Sequence, residues 1–118
     1  MKEENTKVFI MYMLILVSML FAGGVFGQIQ VFYFNADWNK ANGVEWFDEL
    51  DDIKTTSYID VAKQTEVAAQ HKIAVIPTII VFKDDVEVAR FQADLSFKMV
   101  ATREEVQEEI DNILMSDF

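Results

Sequence analysis

The chain has 118 residues, 52% of them hydrophobic, with 20 acidic and 10 basic side chains, a formal net charge of −10 and no cysteine. A chain of this size builds one compact domain, and without cysteine it has no disulfide framework, thiolate metal site, iron–sulfur cluster or thiol nucleophile. The acidic balance argues against sequence-independent binding to nucleic acid or anionic lipid, since both need a basic face that neutralises phosphate.

The first element in chain order is the uncharged run Val8 to Phe26. It shows no polar face at any helical period, which argues against a buried core helix. Small residues at Val25 and Gly27, just before Gln28, fit a signal-peptidase site. The length, near the roughly 20 residues that span a bilayer, and the mixed charges Lys2, Glu3, Glu4 and Lys7 fit an uncleaved anchor as well. Residues 1–27 are therefore expected to be a signal peptide or membrane anchor built on a hydrophobic N-terminal helix. Residues 28–118 are expected to form a single domain, either extracytoplasmic (periplasmic or secreted) or membrane-tethered by residues 8–26. Lys2 and Lys7 cancel Glu3 and Glu4, so the domain carries the whole negative charge, and a charged partner is expected to be basic.

Gln28 to Phe34 is short, β-branched and aromatic, and reads as a strand buried on both faces. Asn35 to Asn42 punctuates the chain. Val44, Phe47, Leu50 and Ile53 then recur every third residue with acidic residues between them, predicting an amphipathic helix from Gly43 with Asn39 and Asn42 as its N-caps. Tyr58 to Val61 reads as a second strand and Thr65 to Lys72 as a short helix. Thr78 to Phe82 is a third strand, Asp84-Asp85 a tight turn, and Val86 to Phe91 an alternating hairpin partner. Thr102 and Glu105 form a capping box, after which Val106, Ile110, Ile113 and Leu114 mark one face of a closing helix. The order β-α-β-α-β-β-α asks for a four-stranded mixed sheet, the first pair parallel through a helix and the last pair an antiparallel hairpin.

Two stretches carry a resemblance to a known family. Val31-Phe32-Tyr33-Phe34-Asn35-Ala36-Asp37-Trp38 followed by Asn39-Lys40-Ala41-Asn42 resembles the active-site strand and loop of thioredoxins. Ile73-Ala74-Val75-Ile76-Pro77-Thr78-Ile79-Ile80-Val81-Phe82-Lys83-Asp84-Asp85 is similar to that family's loop with a cis-proline before its third core strand. Together with the closing helix, the resemblance covers most of residues 28–118, and the family's extra N-terminal strand and helix find no counterpart. It implies an α/β thioredoxin-like sandwich. Asn39, Lys40, Ala41 and Asn42 stand where the family keeps its redox Cys-x-x-Cys. An amide can neither attack nor resolve a disulfide, so thiol exchange is absent in principle. Tyr33 stands where many members keep a buried acid that serves the second cysteine, a group with no task once the thiols are gone.

What the resemblance implies instead is a groove for extended polypeptide, at Trp38, at Ile76, Pro77 and Thr78, and approximately at Gln92 and Ala93, where main-chain pairing needs no catalytic side chain. The expected function is that of a redox-inactive, exported binding module for polypeptide or a protein partner, with no cofactor and no metal. A thiol-disulfide oxidoreductase by fold that borrows a partner's cysteines, and a purely structural subunit, stand as alternatives. His71 reads as a surface residue without a role. Asp48, Glu49, Asp51 and Asp52 lack the spacing and glycine of a calcium loop and read as a solvated helix face. The apolar residues Phe97, Met99 and Val100 in the connector Leu95 to Ala101 suggest either partner contact or burial.

Overall fold

The computed structural model describes residues 28–116; the expected signal or anchor, residues 1–27, lies outside the described residues. Among the described residues no helix is long and apolar enough to cross a membrane.

Four strands, β1 (Ile29–Asn35), β2 (Thr55–Asp60), β3 (Thr78–Lys83) and β4 (Val86–Gln92), form one mixed sheet in the order β2-β1-β3-β4. Strand β1 runs parallel to β2, with Tyr33 opposite Tyr58, and antiparallel to β3, with Val31 opposite Val81. Strand β3 continues into β4 as a hairpin. Its turn residues, Asp84 and Asp85, both take left-handed backbone (φ 51° and 67°), the pairing that matches strand twist in a two-residue turn.

The period of two along β1 and β3 divides the core between the two faces of the sheet. Ile29, Val31 and Tyr33 with Ile79 and Val81 face helix α2 (Arg103–Met115), which presents the fully buried Val106 and Ile110. Phe34, Ile80 and Phe82 face the other way, with Val67 of the short helix α1 (Thr65–Gln70) packed against them. The expectation of a first strand buried on both sides is met. Helix α2 opens on the expected capping box: Thr102 Oγ1 accepts from the Glu105 amide at 3.2 Å, and a Glu105 carboxylate oxygen accepts from the Thr102 amide at 3.3 Å.

The predicted helix from Gly43 to Ile53 does not form. The crossover from β1 to β2 consists of a 3-10 segment (Asp37–Asn42), a second short 3-10 turn (Phe47–Glu49) and irregular chain. The apolar set still points inward: Val44, Phe47, Leu50 and Ile53, joined by Trp46, pack against the α2 side of the core. A strict repeat of three falls behind the α-helical period by about 60° per step, so Val44 and Ile53 would sit on opposite sides of an α-helix. In a three-residue-per-turn conformation the same residues stay aligned. Acidic residues at Asp51 and Asp52 would also oppose the dipole at the end of such a helix. Instead, Asp52 takes a left-handed backbone (φ 64°). Gln107 of α2 clamps the segment by accepting from the Asp51 amide at 2.8 Å and donating to its carbonyl at 3.2 Å.

His71 is not the solvated side chain expected from sequence. It is half-buried, with its ring 5.5–5.7 Å from those of Phe32, Phe34 and Phe82. Arg90 on β4 holds the chain there, donating to the His71 and Lys72 carbonyls at 2.6 and 3.1 Å while paired with Glu87.

Candidate functional site

Strand β1 ends in Tyr33, Phe34 and Asn35, all buried, and delivers the chain into the turn that carries Trp38 and Asn39. Burial of Asn35 and Asn39, 2% and 3% exposed, demands internal partners for their amides. The partners are each other. Asn39 Nδ2 donates to Asn35 Oδ1 at 3.1 Å and to the Phe97 carbonyl at 3.2 Å, while Asn39 Oδ1 accepts from Asn42 Nδ2 at 3.0 Å. Asn35 Nδ2 in turn reaches Tyr33 Oη at 3.4 Å, and the same hydroxyl accepts the Val44 amide at 2.7 Å. A continuous polar chain therefore runs from Asn42 through Asn39 and Asn35 to Tyr33.

This corrects the expectation that Asn39 and Asn42 cap a helix. The residue that opens the 3-10 segment is Ala36, with no side-chain cap. Lys40 and Ala41, between the two asparagines, are exposed.

The far partner of Asn39 belongs to a compact loop after β4. Asp94 organises it: its Oδ1 accepts from the Ser96 amide at 2.8 Å, the Ser96 hydroxyl at 2.6 Å and the Lys98 amide at 3.2 Å. These bonds hold the Asp94 carboxyl below the usual aspartate range, the Ser96 hydroxyl first among them. Phe97 sits in left-handed backbone (φ 63°), a conformation that is strained for a bulky residue. Three contacts offset the strain: its amide donates to the Asp94 carbonyl at 3.1 Å, its carbonyl takes the Asn39 amide, and its ring stands edge-on to Trp38 at 5.2 Å. Such a ring pair is worth about 0.5–1.5 kcal/mol beyond the area it buries.

The remaining sequence-nominated residues meet the same loop from below. The Ile76–Pro77 peptide bond is cis. Ile76, Pro77 and Thr78 are buried, and the Thr78 hydroxyl donates to the Val75 carbonyl at 2.6 Å. Gln92, opposite Thr78 in the hairpin ladder, is exposed. The Ala93 amide donates to the Pro77 carbonyl at 3.0 Å, and Ala93 pairs with Met99 to close the loop. Neither the amide nor the carbonyl of Ile76 has a hydrogen-bond partner among the described residues. Trp38 is 65% exposed and, with Leu95, Phe97 and Val100, makes the apolar surface of this corner. The nominated residues thus split into a buried floor (Ile76, Pro77, Thr78) and an exposed rim (Trp38, Gln92), linked by Ala93 and the Asp94–Met99 loop.

No protein-family model and no curated protein matches the sequence. Solved structures do. A thioredoxin mutant from Halobacterium salinarum superposes with a TM-score of 0.57 at 18% identity, covering 75% of this chain and 76% of that one. Thioredoxin 1 from Thermosipho africanus gives 0.57 at 23% identity, covering 75% and 97%, and thioredoxin from Fasciola hepatica 0.52 at 26%, covering 78% and 86%. The chain has the thioredoxin fold. Within that fold this thioredoxin-like domain carries no thiol of its own.

Reading the sequence did not single out Asn35 or the part played by Asp94 and Phe97. Asn35 carries a usable signal, since it ends an otherwise apolar strand four residues before Asn39. Asp94 with Ser96 two residues later is the spacing of an Asx turn. Asp37, at the start of the turn that carries Trp38 and Asn39, pairs with Lys63 at 3.0 Å, and that ammonium holds its carboxyl below the usual range.

Two outcomes follow from this geometry. Replacing Asn39 by Asp keeps the shape but removes both donors and sets a carboxylate against the Asn35 and Phe97 oxygens. Denaturant unfolding of Asn39→Asp at pH 7 is expected to show a loss of about 1–3 kcal/mol or more, shrinking as acid protonates the new carboxyl and restores one donor; an unchanged midpoint would count against the network. The depressed Asp94 carboxyl contributes stability that is fully present above the unfolded-state value of about 3.9 and lost as pH falls through the lower folded value. The Ser96 and Lys98 amide resonances are therefore expected to titrate with a midpoint below that of an ordinary aspartate, and a midpoint at or above it would contradict the loop as described.

Proposed function

We propose that this thioredoxin-like domain is an exported, noncatalytic module that binds extended polypeptide at the Trp38 corner. The observation that carries the reading is the Ile76 main chain, unpaired among the described residues, with the exposed Trp38 ring joined to it through Pro77, Ala93 and the loop that carries Phe97. Main-chain pairing fixes an incoming segment without any reactive side chain. An exposed indole supplies apolar contact at low conformational cost. Pro77 and Thr78 act as floor, and because the Pro77 carbonyl is taken by Ala93, the pairing capacity rests on Ile76. The net charge of −10 favours basic segments. Export rests on the uncharged run Val8 to Phe26, acting as a cleaved signal or as a tether.

Exchange chemistry does not enter this reading, because neither Asn39 nor Asn42 can form a mixed disulfide. The test is an NMR titration of the full chain with a permanently unfolded polypeptide of basic composition, such as reduced, carboxamidomethylated ribonuclease A. Saturable shifts of the Trp38 indole and the Ile76 amide are expected, weakened at least tenfold by Trp38→Ala, with insulin reduction by dithiothreitol no faster than without the protein. Absence of saturable shifts at both residues sinks the binding role, and catalysed insulin reduction would point to an oxidoreductase working through other cysteines.

A further inference from the structure

A second site, sharing no lining residue with the Trp38 corner, lies where the crossover passes beside the edge strand β2. It is an open pocket of about 280 Å³ lined by Tyr33, Val44, Phe47, Asp48, Thr56 and Tyr58. Its size falls just below the roughly 300–1,000 Å³ of sites for drug-sized molecules, so it suits a small head group. Among the described residues, three of the six that line it are aromatic. The Tyr33 ring lies 4.9 Å from Phe47, steeply inclined, and 5.5 Å from Tyr58. Tyr33 forms the buried floor while Tyr58 is 54% exposed, so the rings grade from core to rim.

The polar groups at the rim are uncommitted. Among the described residues the Asp48 carboxylate, the Thr56 hydroxyl and the Tyr58 hydroxyl have no hydrogen-bond or ion-pair partner. The surroundings are negative: partial burial, then Asp60 and Asp37, push the Tyr58 hydroxyl up from its ordinary value. An anion is disfavoured by Asp48 and by the overall charge. A hard divalent cation needs about six or more oxygen ligands, and among the described residues no group of three acidic, histidine or cysteine side chains is placed to hold a metal. A neutral apolar group would leave the carboxylate unused. Aromatic side chains grouped beside a carboxylate that has no partner among the described residues suit an alkylated ammonium, which is attracted by the ring quadrupoles and too weakly hydrated to resist entry.

We propose that the Tyr33–Phe47–Tyr58 pocket, with Asp48 at its rim, binds a methylated ammonium group, on a free small molecule or on a modified lysine side chain. The site is independent of the polypeptide corner and survives if that reading fails. Its test is an NMR titration of the full chain with tetramethylammonium and choline chlorides, against sodium chloride at equal ionic strength and against 3,3-dimethylbutan-1-ol, the neutral counterpart of choline. Saturable shifts of the Phe47 and Tyr58 ring resonances at millimolar ammonium are expected. Asp48→Asn should weaken them at least threefold and Tyr58→Leu abolish them; both side chains are exposed, so the fold tolerates the changes. A trimethyllysine peptide binding at least tenfold tighter than choline would assign the source to a polypeptide, and equal affinity to a free ligand. Equal binding of the neutral alcohol, indifference to Asp48→Asn, or no saturable shift would each overturn the proposal.

Discussion

At the carboxyl end of β1 the two amide hydrogens of Asn39 reach Asn35 Oδ1 and the Phe97 carbonyl, while its oxygen takes the Asn42 amide. One buried carboxamide thereby ties together the strand, the turn that follows it and a loop 58 residues further along the chain. A thiol at this position would offer a single weak donor and could not hold both oxygens. A carboxylate would offer none. The buried carboxamide of Asn39 is therefore a clasp, and the loop it holds carries Phe97 against Trp38. With Asn39 satisfied on three of its four hydrogen-bonding positions, the network is nearly complete, the condition under which a buried polar cluster specifies one arrangement instead of weakening the core.

The clasp hangs from a strand that the core encloses. Strand β1 is covered on both faces, by α2 and the crossover on one side and by α1 with the Phe32–Phe34–Phe82–His71 rings on the other. Tyr33 is the hinge between core and site: its ring packs among Phe47 and Tyr58 and its hydroxyl collects the Asn35 amide and the Val44 backbone. The same residue thus ends the asparagine chain and floors the aromatic pocket. Both surfaces rest on the path of the crossover, which a regular helix would have carried differently.

The first, third and fourth strands, the hairpin turn and the closing helix were legible in the sequence because each rests on local chemistry: β-branched and aromatic runs, Asp84-Asp85, the Thr102 and Glu105 capping box; β2, read as Tyr58 to Val61, starts at Thr55, where exposed polar residues at the sheet edge give no apolar signal. The crossover was not. The every-third-residue repeat of Val44, Phe47, Leu50 and Ile53 reports which side chains turn inward, but the same inward set is compatible with an α-helix by composition and with tighter turns by period, and the chain takes a single 3-10 turn at Phe47–Glu49 within irregular backbone. Trp38, Asn39 and Pro77 could be placed by resemblance to thioredoxins. Their roles could not, since whether Asn39 caps a helix or clasps a loop depends on Phe97, which no local pattern connects to it. Likewise the three aromatics of the pocket come from β1, the crossover and β2, and only the parallel register that sets Tyr33 beside Tyr58 brings them together.

The most direct test of the clasp is the hydrogen-exchange rate of the Asn39 side-chain amide in the full chain, with the exposed Asn112 as internal reference. Both Asn39 hydrogens are engaged in a site only 3% exposed, so they should exchange at least tenfold more slowly than those of Asn112. Exchange at the Asn112 rate would show that the amide is open to water and that the loop is held by something else.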